Sequence, residues 1–127
     1  MTTDAGDKLE QVLAEEMEAS LLGPAEWRAV FEWCRETGVE FYLKPVLEDN
    51  PGLELRIQRV EGERLATLDG EVAFREIEWI KVPFTTPFLG KSQPDLRPYL
   101  RARGIPFEER PNGIVVRGPM RKLKTPT

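Results

Sequence analysis

The sequence predicts an α+β fold in which helices cover one face of a mainly antiparallel sheet. Two segments near the N-terminus repeat apolar residues at helical spacing, whereas several later segments alternate apolar and polar residues. Turn-forming pairs such as Glu61-Gly62 and Asp69-Gly70 separate the alternating segments at short intervals. Because alternation gives each strand one apolar and one polar side, we expect the helices to lie on a single face of the sheet.

Three helices are predicted, over residues 7–20, 22–37 and, as a shorter helix, within 92–103. The second begins near Pro24 and ends before Gly38, which is the usual placement of these residues at helix termini. Pro94 and Pro98 are both tolerated only if the third helix begins near Asp95, which leaves Pro98 in its first turn. The apolar stripes of the first two helices are Leu9, Val12, Leu13 and Met17, and Trp27, Val30, Phe31 and Cys34.

The predicted strands cover residues 39–47, 53–60 and 72–82, the last as one long strand or two short ones, and a hairpin of 105–110 and 114–118 follows the third helix. Within 72–82 the apolar residues change sides, which indicates a β-bulge near Arg75. The predicted order of elements is therefore ααββββαββ.

The polar sides of the predicted strands form an open sheet face of mixed charge. This face is expected to contact a protein partner because it is exposed and needs no special geometry to bind one. Trp33 lies off the apolar stripe of the second helix by about 120°, so it either packs against the first helix or belongs to an interface. The expected interface residues are Glu40, Tyr42, Glu54, Arg56, Glu76, Glu78 and Trp33.

The length of 127 residues predicts one domain over 1–127, with residues 1–6 and 119–127 as flexible tails. The acidic N-terminal segment lacks the basic and apolar regions of a signal peptide. No apolar run approaches the roughly 20 residues of a membrane span. Together with a single cysteine, which fits a reducing compartment, these features predict a cytoplasmic protein without a membrane partner.

The charge of the chain is acidic overall and basic at its C-terminus. The formal net charge of −4 argues against a nucleic acid partner, because phosphates need a basic face. The basic residues Arg117, Arg121, Lys122 and Lys124 are interpreted as part of a solvated tail. The alternative is an arm that contacts an acidic partner or RNA.

Residue types that carry out catalysis or bind metals are scarce. The chain has no histidine and no phosphate-binding, dinucleotide-binding or metal-spaced motif, so no catalytic residue, metal or cofactor is expected. Glu76 and Glu78 have the types needed for an acid–base pair or a cation site. The favoured interpretation instead places both on the wet sheet face, paired with residues such as Arg56. Cys34 is interpreted as a small buried hydrophobe rather than a nucleophile.

The remaining aromatic and basic residues have a structural and a functional interpretation. Trp27 and Trp79 are expected to anchor the second helix to the sheet. Phe84 and Phe88 either fold back over one end of the core or form an interaction loop. The arginines of the third helix are interpreted as a solvated face rather than a phosphate site; they are Arg97, Arg101 and Arg103.

Three sequence motifs carry a resemblance to known proteins. They are W-R-x-x-F from Trp27 to Phe31, I-E-W-I-x-V from Ile77 to Val82, and the C-terminal pair G-I-P-F-E-E and G-I-V-V-R-G. Together they resemble a group of small uncharacterised bacterial proteins classed as a domain of unknown function. The resemblance covers residues 24–118, with no match between Val46 and Val72, and it implies the order of elements above but no established activity. Small acidic α+β proteins of this kind are also similar to immunity proteins that neutralise secreted toxins.

These observations predict a non-enzymatic protein-binding module, most simply a cytosolic immunity or antitoxin protein that occludes a bacterial toxin domain. An acidic inhibitor would associate rapidly with a basic toxin through electrostatic steering. Two alternatives stay open: a self-associating accessory protein, such as a homodimer, and an enzyme that uses the glutamate pair.

Overall fold

A computed structural model describes residues 5–17 and 22–119 and confirms the α+β class. The predicted tails fall almost entirely outside these residues, as do the basic side chains beyond Pro119. The three helices are α1 (Ala5–Glu16), α2 (Pro24–Thr37) and α3 (Arg97–Arg103).

The helix termini follow from local sequence. Pro24 opens α2, where its missing N–H would have no partner in any case, and Gly38 ends the helix with a left-handed φ of 72°. The N–H of Gly38 donates to the carbonyl of Cys34 at 3.0 Å. The third helix begins at Arg97, two residues later than Asp95, so that Pro98 lies in its first turn as predicted.

Within residues 5–17 and 22–119, eight strands form two antiparallel sheets instead of the single sheet that the sequence predicts. The larger sheet has the order β2-β1-β6-β8-β7, and the smaller has the order β3-β4-β5. The larger sheet contains β1 (Phe41–Pro45), β2 (Gly52–Glu54), β6 (Ile77–Pro83), β7 (Glu108–Arg110) and β8 (Gly113–Arg117). The smaller sheet contains β3 (Ile57–Glu61), β4 (Arg64–Thr67) and β5 (Gly70–Ala73).

The prediction of one strand over 53–60 is wrong because this segment divides between the sheets, whereas 72–82 forms the two short strands that were the predicted alternative. The segment 53–60 separates into β2 and β3, with Leu55 and Arg56 as the connection. The segment 72–82 separates into β5 and β6, joined by a 3₁₀ turn over Phe74–Glu76. Apolar and polar residues keep alternating through both connections. The alternation therefore predicts strands, but it does not show that the chain passes from one sheet to the other.

A β-bulge in β6 changes which of its side chains face the core, compared with the prediction. Lys44 is opposite Trp79 and Pro45 is opposite Ile77, so Glu78 is the extra residue. Ile77 and Ile80 therefore both reach the core, whereas Trp79 is only partly buried. The expected core-anchoring role of Trp79 is wrong, because the bulge lies at Glu78 and not near Arg75.

The main core lies between the larger sheet on one side and α2, α3 and the smaller sheet on the other. Phe31 of α2 stands at its centre, with its ring 6.1 Å from that of Phe41 and 5.5 Å from that of Phe74. Trp27 stacks on Phe31 of the same helix at 5.3 Å, and its burial in one cluster with Ile77 and Val116 of the larger sheet agrees with its predicted anchoring role. The opposite side of the larger sheet, here called the outer face, carries Tyr42, Lys44, Trp79, Lys81, Val115 and Arg117.

The first helix packs separately from the main core. Leu9 and Met17 form a second apolar cluster with Val46, just after β1. The predicted residues 18–20 of this helix lie outside the described residues. Within the described part of the chain, no helix is both long enough and apolar enough to span a membrane.

Candidate protein-binding cleft

A cleft of about 710 Å³ lies where the edges of the two sheets face each other. Its walls come from the end of β1, from β2 and from the β4–β5 hairpin, and α1 contributes Leu9. Apolar lining is supplied by Leu9, Leu43 and Leu47, while the rim is mainly acidic. This acidic cleft is lined by the charged residues Glu48, Glu54, Asp69, Glu71, Glu76, Arg64 and Arg75.

The negative charge of the acidic cleft is only partly neutralised. Arg75 pairs with Glu10 of α1, and Glu71 accepts a hydrogen bond from Arg59 at 3.2 Å. No ion pair with a described residue is formed by the four other carboxylates, Glu48, Glu54, Asp69 and Glu76. The cleft therefore carries an excess of negative charge that a cationic group from outside would neutralise.

Glu54 and Asp69 meet at one side of the acidic cleft. Glu54 ends β2, opposite Phe41 of β1, so its side chain points to the core side of the sheet and is half-buried. Asp69 lies in the β4–β5 turn, where its N–H donates to Thr67 Oγ1 at 3.2 Å. Burial raises the pKa of Glu54, the nearby charge of Asp69 raises this pKa further, and a hydrogen bond to Thr67 opposes the shift.

The two sheets turn free strand edges toward this region. β2 is the edge strand of the larger sheet, and β5 is the edge strand of the smaller one. Both strands line the acidic cleft through Glu54, Glu71 and Val72. The outward N–H and C=O groups of an edge strand are available to pair with another extended chain.

The expected interface residues do not share one surface. Glu54 and Glu76 both line the acidic cleft, whereas Tyr42 and Glu78 lie on the outer-face side of the larger sheet. The remaining three are separate from both groups: Glu40 precedes β1, Arg56 is exposed between β2 and β3, and Trp33 is in α2. The prediction of one shared open face is therefore wrong, because the chain changes sheets after Glu54 and turns at Glu76.

Glu78 is buried, in contrast to its predicted exposure. Its carboxylate accepts a hydrogen bond from Lys44 Nζ at 3.0 Å, and the side chains are 12% and 8% exposed for Lys44 and Glu78 respectively. The predicted pairing with Arg56 is not observed. Glu76 belongs to the 3₁₀ turn, so the two glutamates are not alternate residues of one strand, which is the arrangement that the alternative of an acid–base pair requires.

Trp33 and Glu40 both have local structural contacts. The Trp33 ring lies 6.2 Å from the ring of Tyr99 in α3, and not against the first helix. The Gln93 side chain holds the backbone of Glu40, accepting from its N–H at 2.7 Å and donating to its carbonyl at 3.1 Å. Glu40 Oε2 is buried without a hydrogen-bond partner among the described residues.

Cys34, the arginines of α3 and the two loop phenylalanines are the remaining residues for which the sequence offered an interpretation. Cys34 is buried, as expected, and burial raises the pKa of its thiol far above the usual range. Arg97 pairs with Asp95 at 2.8 Å and Arg101 with Glu109 at 3.0 Å, which fits the predicted solvated face. The two loop phenylalanines differ: the ring of Phe84 is half-buried under the guanidinium of Arg97, whereas Phe88 is 82% exposed.

Three carboxylates of the acidic cleft, Glu48, Asp69 and Glu71, were not among the predicted interface residues. Glu48 and Asp69 lie at turns, where acidic residues are common for purely local reasons. Their convergence with Glu54 depends on the corner between the sheets, which no local pattern indicates. Among the described residues, no group of three or more potential ligands is placed to hold a metal ion.

Comparison of the chain with protein-family models, curated protein sequences and solved structures finds no significant match. The resemblance to the family of unknown function and to immunity proteins therefore stays a prediction.

Proposed function

We propose that this protein is a non-enzymatic protein-binding module whose acidic cleft receives a basic segment of a partner protein. The observation that carries the proposal is the group of four carboxylates in the cleft without an ion pair among the described residues. Such a site is expected to select a cationic partner, because an anionic or neutral segment would leave these charges uncompensated.

The composition of the cleft suits lysine and arginine side chains. Their alkyl stems pack on apolar walls such as Leu43 and Leu47, while the charged heads reach carboxylates at the rim. Arginine would also satisfy Glu54 and Asp69 together, since its guanidinium presents several donors in one plane.

We further propose that the partner is a basic toxin domain and that the chain is a cytoplasmic immunity protein. A toxin that acts on nucleic acid requires a basic surface to contact phosphates. An acidic module that covers this surface would block access to the substrate, and steering by the net charge of −4 would speed association.

A defined peptide tests the basic-segment proposal without knowledge of the partner. A short peptide that alternates lysine and valine is titrated into ¹⁵N-labelled protein at low salt, and backbone amide shifts are followed. We expect saturable shifts at β5 and at Glu54, and an affinity that falls as salt is added. Shifts confined to other surfaces, or none at millimolar peptide, would overturn the proposal.

The matched variants for this titration differ only in where charge is reversed. Glu54→Lys with Asp69→Lys removes the negative charge of the cleft and should abolish the shifts. Glu26→Lys with Glu36→Lys makes the same change in net charge on the exposed surface of α2 and should leave binding intact.

A second candidate function is acid–base catalysis by Glu54 and Asp69. It is favoured by the raised pKa of Glu54 beside another carboxylate in a cleft, an arrangement common at catalytic sites. Glu54→Gln distinguishes the two functions: it would abolish turnover by an enzyme, whereas a binding module would keep part of its affinity through the remaining carboxylates.

A further inference from the structure

The outer face of the larger sheet alternates aromatic and cationic side chains. Across β1 and β6, Tyr42 is opposite Lys81 and Lys44 is opposite Trp79. Across β6 and β8, Trp79 is opposite Arg117. Residues that are directly opposite in an antiparallel pair project from the same face, so a flat aromatic surface is bordered by positive charge.

A shallow cavity of about 300 Å³ lies on this face, distinct from the acidic cleft. Trp79 and Lys81 line one side, and Arg110, Asn112 and Arg117 line the other. This outer-face pocket has a size suited to a small ligand rather than a protein segment.

Two cations of the outer-face pocket, Arg110 and Arg117, share one carboxylate, so the positive charge of the pocket is only partly neutralised. Glu108 accepts a hydrogen bond from Arg117 Nε at 2.9 Å and another from Arg110 Nη2 at 2.7 Å. Lys81 makes no ion pair with any described residue. Three cations therefore face one carboxylate, which leaves a positive excess on a chain that is acidic overall.

Two properties of the pocket restrict the ligand class. The partly exposed indole of Trp79 is a stacking surface, and Lys81, Arg110 and Arg117 favour an anion beside it. A nucleotide combines a flat ring with a phosphate and satisfies both. An acidic peptide would meet the cations but leave the indole without a stacking partner.

We propose that the outer-face pocket binds a nucleotide, with the base stacked on Trp79 and the phosphate at Lys81 and Arg117. The nucleotide is either free or part of a single strand, since both present the same base and phosphate. The acidic net charge predicts no nucleic acid partner, but it describes the whole chain and not this face.

Two probes at low salt test the proposal: adenosine monophosphate, followed by calorimetry, and a short fluorescent oligothymidylate, followed by anisotropy. Binding of both identifies a nucleotide site, and binding of the oligothymidylate alone identifies a single-strand site. Binding of neither, or equal binding of an oligoglutamate of similar charge, would overturn the proposal.

Variants assign the binding to this pocket. Trp79→Leu and Lys81→Gln should each weaken binding by about tenfold, as expected for loss of one stacking or phosphate contact. Lys91→Gln removes an exposed lysine elsewhere and should have no effect. Circular dichroism verifies that each variant folds. If Trp79→Leu does not fold, the lysine variants still test the pocket, because Lys81→Arg keeps the charge and should retain binding. Undiminished binding by Lys81→Gln would contradict the assignment.

Discussion

Lys44 and Glu78 form an ion pair that is almost completely removed from solvent, with Nζ 3.0 Å from Oε1. The pair stands at the β-bulge, where the carboxylate of the extra residue of β6 is buried. The register between β1 and β6 therefore brings two opposite charges together. Both charges are needed, because a buried charge is strongly unfavourable without its partner.

Removal of one member of this pair should destabilise the fold. We expect Glu78→Gln to lower the free energy of unfolding by about 3 kcal/mol, because Lys44 would stay buried without its counter-charge. Urea denaturation measures the change. As a control, Glu109→Gln breaks an exposed pair with Arg101 and should lower it by less than about 1 kcal/mol. Equal effects of the two substitutions would contradict the importance assigned to burial.

Glu54 should destabilise the folded protein at neutral pH. Its pKa is higher in the folded than in the unfolded chain, because of burial first and Asp69 second. The folded state therefore binds this proton more tightly, and the contribution to stability is fully present below the unfolded pKa and is lost as pH rises through the folded pKa. Glu54→Gln removes this ionisation, so we expect a melting temperature up to about 3 °C above wild type at pH 7.

The pH dependence separates this explanation from a general effect of the glutamine. The difference in melting temperature should shrink as pH falls toward the ordinary carboxyl range and should disappear once Glu54 is protonated in both states. Glu36→Gln, on the exposed surface of α2, should give no such pH-dependent difference. A constant difference at all pH values would contradict the assigned cause.

Gly113 is required by a close approach of two strands. A Cβ atom at this position would lie 2.7 Å from the carbonyl oxygen of Val82 and 3.0 Å from the Cα of Pro83, and neither backbone atom moves easily. We expect Gly113→Ala to lower the free energy of unfolding by about 2 kcal/mol. Gly52→Ala is the matched control, because its Cβ would meet nothing within 4 Å. Similar denaturation midpoints for the two variants would refute this requirement.

The Cys34 thiol should be unreactive in the folded protein. It is buried on the core side of α2, and the desolvation that raises its pKa suppresses the thiolate that reacts with thiol reagents. With Ellman's reagent at pH 8, we expect labelling only on unfolding in guanidinium. Complete labelling of the native protein within minutes would show that α2 opens readily.

The sequence was sufficient for elements whose structure depends on neighbouring residues. Pro24 and Gly38 define α2, and the terminal hairpin around Asn112 forms as predicted, because each depends on local backbone preferences. The apolar stripe of α2 likewise identifies Phe31 and Cys34 as core residues.

The division into two sheets could not be predicted from the same information. Glu54 and Ile57 continue one alternating pattern, yet they belong to different sheets because the chain turns at Leu55 and Arg56. The acidic cleft depends on that corner, and so does the approach of Asp69 to Glu54. The outer position of Trp79 depends on a single extra residue, which reverses the side of every residue that follows it in β6.

Affinity capture from the native host shows whether a basic protein partner binds at the acidic cleft. Tagged wild type is compared with Glu54→Lys/Asp69→Lys and with Glu26→Lys/Glu36→Lys, and recovered proteins are identified by mass spectrometry. We expect a stoichiometric basic protein with wild type and with the α2 variant, its loss with the cleft variant, and toxicity when this partner is expressed alone. Equal recovery of the partner by all three proteins, or recovery of no partner by wild type, would rule out binding at the acidic cleft.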